Sequence, residues 1–154
     1  YIQRIAQLTN KSNQFNLTTL RCSEDEIRAM AENPDWLCLY GKLADKFGDN
    51  GVVTVVAGEQ LGETLHLRLW LMSCRVLKRG MEDAMMDCLV RDALARGVRQ
   101  IIGYYYPTAK NGMVRDFYAG MGFAQVAADA DGSTTWTLDA AAYQPKQPPM
   151  TIER

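Results

Sequence analysis

The middle of the chain alternates between apolar and polar positions. Trp36-Leu-Cys-Leu-Tyr40, Val52-Val-Thr-Val-Val56 and Leu65-His-Leu-Arg-Leu-Trp-Leu71 each read as a strand, rich in β-branched, aromatic and leucine side chains. Between them lie Gly48-Asp-Asn-Gly51 and Gly58-Glu-Gln-Leu-Gly62, which carry turn chemistry and predict an antiparallel meander. In the third strand, alternation puts Leu65, Leu67, Leu69 and Leu71 on one face and His66, Arg68, Trp70 and Met72 on the other. Upstream, Phe15–Leu20 reads as a further strand. Ser23-Glu-Asp-Glu26 has the form of a capping box, opening a helix over 24–32 that stops before Asn33-Pro34.

From Met81 the period changes to that of a helix, with Met85, Cys88, Leu89 and Arg96 alternating with Asp83, Asp87 and Arg91, Met86, Val90, Ala93 and Leu94 broadening the buried stripe, and Gly97 as its stop. Gln100–Tyr106 is a strand halted by Pro107. Asn111 is placed to cap a helix over 112–121, closed by Gly122. Residues 123–128 and 134–138 form a last hairpin pair. The order is strand, helix, three strands, helix, strand, helix, two strands. Two of the connections are helical crossovers, so the class is α/β (α+β): a mixed sheet with helices on its faces. The tail from Gln144 holds three prolines in six residues and is expected to be loose, which leaves 1–143 as the domain.

Composition narrows the function classes. The chain has 154 residues, 47% hydrophobic and 23% charged, enough for one domain with a real core. No apolar run approaches the roughly 20 residues of a membrane span. A net charge of −1 argues against a general nucleic-acid binder, which needs clustered cations. The four cysteines show no C-x-x-C and no pairing with histidine, and His66 is the only histidine. That pattern argues against zinc and for a reducing, cytoplasmic setting. Cys22, Cys38 and Cys88 sit among apolar residues and read as core. The chain opens on Tyr1 rather than Met, which predicts a piece of a longer polypeptide.

The element order, the basic turn Cys74-Arg-Val-Leu-Lys-Arg-Gly80 before the central helix, and Asn111-Gly-Met-Val-Arg-Asp-Phe-Tyr-Ala-Gly-Met-Gly-Phe123 resemble the GNAT acetyltransferases. The resemblance implies a GNAT-like, mostly antiparallel mixed sheet with helices on both faces. It also implies that the turn seats a coenzyme A pyrophosphate on amides at the helix start, and that Tyr118 acts as general acid to a leaving thiolate. The turn departs from the family's Q/R-x-x-G-x-G/A: Leu77 stands where Gln or Arg belongs and Glu82 where a small residue belongs. A carboxylate there either complements the helix dipole or faces the site, and it competes with a phosphate.

Three longer phrases, at 7–19, 71–86 and 107–123, resemble the C-terminal half of FkbH-like proteins. In that family a haloacid-dehalogenase-type phosphatase domain precedes a GNAT-like acyltransferase domain. A glyceryl unit from a phosphorylated glycerate is loaded onto the phosphopantetheine of an acyl carrier protein, towards methoxymalonyl-type polyketide units. No D-x-D-x-T/V motif of the phosphatase half occurs here, so the likeness implies the acyl-transfer half. The implied partners are an acyl carrier protein and an N-terminal phosphatase domain, with no nucleic acid, membrane or metal. The implied thiol carrier is the carrier protein's phosphopantetheine or coenzyme A. A conventional coenzyme A-dependent N-acetyltransferase and a non-catalytic carrier-docking module remain as alternatives.

Cys74, beside Arg75 and ahead of a helix, has the surroundings that lower a thiol pKa. The family likeness makes it the covalent acyl carrier; the plain alternative is a small buried hydrophobe. Arg75, Lys78, Arg79 and Gly80 would meet the phosphate of the pantetheine arm, or else form a solvated turn. Asn13, Gln14, Asn16, Thr108 and Asn111 are amide and hydroxyl groups suited to a glyceryl unit, or to neighbouring backbone. Lys110 can stabilise a thioester oxyanion. His66 lies about 26 Å from Cys74 along an extended strand, at roughly 3.3 Å per residue. That is beyond the ~3 Å reach of a general base, so it reads as structural or exposed.

Overall fold

The computed structural model describes residues 2–45, 48–73 and 80–146, and for 43–45 and 48–50 only the backbone. Helix α1 (Ile2–Lys11) opens the described chain and buries Ile5, Ala6, Leu8 and Thr9. Sequence reading assigned no element there. Helix α2 (Glu24–Glu32) starts at the expected capping box: Glu26 N–H donates to Ser23 Oγ at 3.2 Å, and Ser23 N–H donates to Glu26 Oε1 at 3.1 Å.

Strands β1 (Trp36–Asp45), β2 (Gly48–Leu61) and β3 (Thr64–Met72) make the meander. Gly58 belongs to β2 rather than to a turn, and the chain reverses instead at Gly62, whose φ is +66°. Helix α3 (Met81–Ala95) crosses over to β4 (Gln100–Tyr105), with Gly97 at φ +80° as the expected stop. The helix expected over 112–121 is two short pieces, a 3-10 turn at Gly112–Val114 and α4 (Phe117–Gly120). Strands β5 (Ala124–Ala128) and β6 (Thr134–Asp139) complete one six-stranded sheet in the order β1-β2-β3-β4-β6-β5. Only the β3–β4 pair, joined by the α3 crossover, is parallel. At the C-terminal end Lys146 N–H donates to Asp87 of α3 at 2.8 Å, and the rest of the expected tail lies outside the described residues.

Helices cover both faces. One core joins Met81, Met86 and Leu89 of α3 and Tyr118 of α4 to Leu65, Leu67, Trp70 and Met72 of β3. The other joins Ile5 and Leu8 of α1 and Ile27 of α2 to Val55, Leu69 and Leu71. Simple alternation along β3 therefore fails. Ala57 pairs with Leu69 while Gly58 pairs with Leu67, so Arg68 is the extra residue of a β-bulge. The extra residue reverses which parity faces which core. Leu65 and Leu67 face α3; beyond the bulge it is Trp70 and Met72 that do.

Cys22 is core as expected, and its thiol is pushed up to about 11 by burial and by Glu26. Cys38 is exposed and Cys88 only half-buried, so the core reading of those two is corrected. Among the described residues no helix is long and apolar enough to cross a membrane.

Candidate functional site

Of the residues singled out in the sequence, Asn16, Thr108 and Asn111 come together where the parallel pair parts. β3 and β4 stay paired from Thr64–Gln100 to Leu67–Gly103. Beyond that, the bulge turns β3 away and a wedge opens between the two strands. The α1–α2 connection enters it. Asn16 bridges Leu71 in antiparallel sense, Leu17 N–H donates to Trp70 O and Met72 N–H to Phe15 O, both at 3.0 Å. On the other side Tyr106 N–H donates to Leu17 O at 2.9 Å. Thr18 Oγ1 donates to the carbonyl of Arg68, the bulge residue, at 2.7 Å. The strand expected over 15–20 is thus a short inserted segment bonded to both flanking strands. It ends early because Thr19 takes φ +58°, a left-handed backbone costly for a β-branched residue.

Two buried asparagines hold this segment. Asn111, with no exposed surface, donates from Nδ2 to Asn16 O at 3.0 Å and to Tyr106 O at 2.9 Å. Its Oδ1 accepts from Thr108 N–H at 2.7 Å and Tyr105 OH at 3.3 Å. Its capacity is used, so it clamps the 105–111 loop to the inserted segment and does not cap a helix. Asn16 accepts from Thr19 N–H at 2.9 Å and donates to Ser12 O at 3.2 Å. Thr108 Oγ1 accepts from Lys110 N–H and Asn111 N–H at 3.2 and 3.1 Å, and the Lys110 side chain is exposed. Asn13, also exposed, accepts from Arg21, whose guanidinium also donates to Ser12 O and Thr9 O at the end of α1. Gln14 is exposed beside it.

Beneath the wedge lies an aromatic floor. Phe117 meets Phe15 at 5.1 Å and Trp70 at 4.9 Å between ring centroids, both edge-on. Tyr118 packs on Phe123 at 4.8 Å and is 1% exposed. Its hydroxyl has no hydrogen-bond partner among the described residues, and burial alone pushes the phenol far above its usual range. Aromatic packing turns this hydroxyl into the core, whereas the general-acid role that the resemblance implies needs it to reach a leaving thiolate. Trp70 Nε1 is likewise buried without a partner among the described residues.

Cys74, Arg75, Lys78 and Arg79 lie outside the described residues. On one side of them Ser73 N–H donates to Val53 O at 2.7 Å. On the other, Gly80 at φ +83° opens α3, which has no side-chain cap among the described residues and carries Glu82 and Asp83 in its first turn. Among the described residues no group of three His, Cys, Asp or Glu side chains is placed to hold a metal.

Sequence reading gave no role to Thr18 or Tyr106, and set His66 aside. His66 Nδ1 lies 2.7 Å from Tyr104 OH, and Arg68 sits 5.5 Å from the Tyr104 ring centre while pairing with Glu59 at 3.3 Å. Burial and the Arg68 charge lower the His66 pKa from 6.5. The unfolded chain then binds the extra proton first, so stability is full above that value and falls as pH drops below it. We expect the wild-type urea midpoint to fall between about pH 7.5 and about pH 5.5, with part of that fall absent in His66→Gln. Equal falls in the two proteins would refute it.

No family model matches the chain, and no curated protein matches it. Solved structures do. The chain superposes on the ribosomal-protein-S18-alanine N-acetyltransferase of Escherichia coli with TM-score 0.66 and 12% identity, over 94% of this chain and 91% of that one. The fold is that of the GNAT acetyltransferases. The GNAT domain of S. lividans PAT gives TM-score 0.68 and 16% identity, over 90% and 84% of the two chains. Rv2747 from Mycobacterium tuberculosis, in complex with CoA and NLQ, gives 0.67 and 14%, over 90% and 93%. In this GNAT-like frame the wedge at β3–β4 opens directly ahead of the turn into α3.

Proposed function

We propose that the domain is an acyltransferase that receives its acyl group as a thioester. The observation that carries this reading is the parting of β3 from β4 ahead of the start of α3, in a GNAT-like fold. The start of a helix suits a phosphate, because its first amides and its dipole favour an anion. The neighbours support a coenzyme A-dependent N-acyltransferase as well as or better than any narrower function, since several of them were solved in complex with coenzyme A.

The narrower reading is a glyceryl-type relay: a Cys74 thiolate attacks the donor carbonyl, the donor group leaves, and the thiol of a carrier-protein phosphopantetheine displaces Cys74 in turn. Its support is the likeness of the three sequence phrases, together with a β3 edge already bonded to residues 15–18. Its partners would be an acyl carrier protein and a haloacid-dehalogenase-type phosphatase domain, in the cytoplasm. Intact-mass spectrometry separates the two. The relay expects an acyl adduct on the wild type, lost in Cys74→Ala and discharged by the holo-carrier. The coenzyme A reading expects no adduct, release of coenzyme A thiol, and acylation of an amine acceptor. Neither adduct nor thiol release under any donor would sink the proposal itself.

A further inference from the structure

We infer that Phe15–Thr18 is a resident strand of the sheet, which withholds the β3 edge from the pantetheine arm of an incoming donor. The inference rests on the acyl-transfer reading for its consequence, but not for its geometry. A pantetheine arm is an extended chain with two amides, and such chains gain affinity by adding to an open strand edge. Here that edge is spent. Trp70 O and Met72 N–H are bonded to Leu17 and Phe15, the bulge carbonyl of Arg68 to Thr18, and Tyr106 N–H across the wedge to Leu17.

The segment is also built to stay. Leu17 and Asn16 have no exposed surface and Phe15 is 4% exposed, so withdrawal would open both an apolar site and an amide-lined one. Asn111 would lose its Asn16 partner while sealed in the core, and buried polar groups resist being left unpaired. A donor arm must therefore pass over the segment instead of pairing within the wedge, which leaves coenzyme A without a strand-edge anchor.

Amide hydrogen exchange on the full chain, with and without millimolar coenzyme A, tests this directly. The amides of Leu17, Met72 and Tyr106 are expected to be protected in the free protein and unchanged by the coenzyme. Thr18→Val, which removes one anchor, is expected to speed Leu17 exchange about tenfold. Exchange at loop rates in the free protein, or a tenfold loss of protection at Leu17 on adding coenzyme A, would overturn the inference. The acyl-transfer reading is judged separately by product mass. Transfer accompanied by loss of protection removes the inference and keeps the reading; no transfer with protection intact does the reverse.

Discussion

Asn111→Ala is expected to lower unfolding stability by about 3–5 kcal/mol, since it leaves two buried partners unpaired at roughly 1–3 kcal/mol each and two half-buried ones at less. That is a large share of the 5–15 kcal/mol typical of a domain. The carbonyls of Asn16 and Tyr106 would both lose a donor, and Thr108 N–H and Tyr105 OH an acceptor. An alanine fills none of these roles, and Asn111 and Asn16 have no exposed surface. Asn111→Asp keeps the shape and Oδ1 but turns an acceptor towards two carbonyls, so it should be no better. Thr108→Ala is the control: its hydroxyl serves two amides in an exposed loop, and its loss should cost about 1 kcal/mol. Urea unfolding of the three variants decides it. An Asn111→Ala protein within about 1 kcal/mol of wild type would show that water or a loop shift replaces the clamp.

The same residue marks where sequence reading stops. Asn111 followed by Gly112 has a complete local explanation as a helix cap, and that explanation is wrong because its partner Asn16 lies 95 residues away. Signals confined to a few residues were legible: the capping box at Ser23 and Glu26, the Gly97 stop, and the crossover that makes β3 and β4 parallel. Helix α1 lacked such a signal. It opens without a cap residue among glutamines and asparagines, although Ile2, Ile5, Ala6 and Thr9 already hold the 3–4 spacing.

The bulge was hidden differently. Alternation in β3 is written in its own sequence, but the extra residue is defined only against β2. Gly58 was the available hint. A Cβ there would lie 2.9 Å from the Leu65 side chain and 3.3 Å from His66 O, so glycine permits the close approach beside the bulge. Read as a turn residue, it concealed the shift that aims Trp70 at the aromatic floor. Of the candidate site, Asn16, Thr108 and Asn111 stand out in the sequence only as polar groups near a strand, and their role as clamps appears only when the two segments that carry them are seen to touch.

That floor sets the second large effect. Gly103→Ala is expected to destabilise by about 1–3 kcal/mol, and Gly103→Val by more, through overpacking of a sealed aromatic site. A Cβ on Gly103 would sit 2.6 Å from Tyr118 Cζ and 2.7 Å from both Cε atoms. The ring has little room to retreat, with Phe117 at 5.4 Å, Phe123 at 4.8 Å and Trp70 at 6.4 Å between centroids. A smaller side chain at 118 should relieve the clash, so Gly103→Ala combined with Tyr118→Leu should cost at least 1 kcal/mol less than the sum of the two alone, a coupling of about the size neighbours show. Additive costs would mean that the clash is absorbed by the backbone. Tyr118→Phe completes the set: the hydroxyl has no partner among the described residues, so its removal should leave stability unchanged or raise it by up to about 1 kcal/mol. Measuring acyl transfer beside stability then distinguishes a sealed phenol from a proton donor, because only the latter loses turnover tenfold or more while the fold is intact.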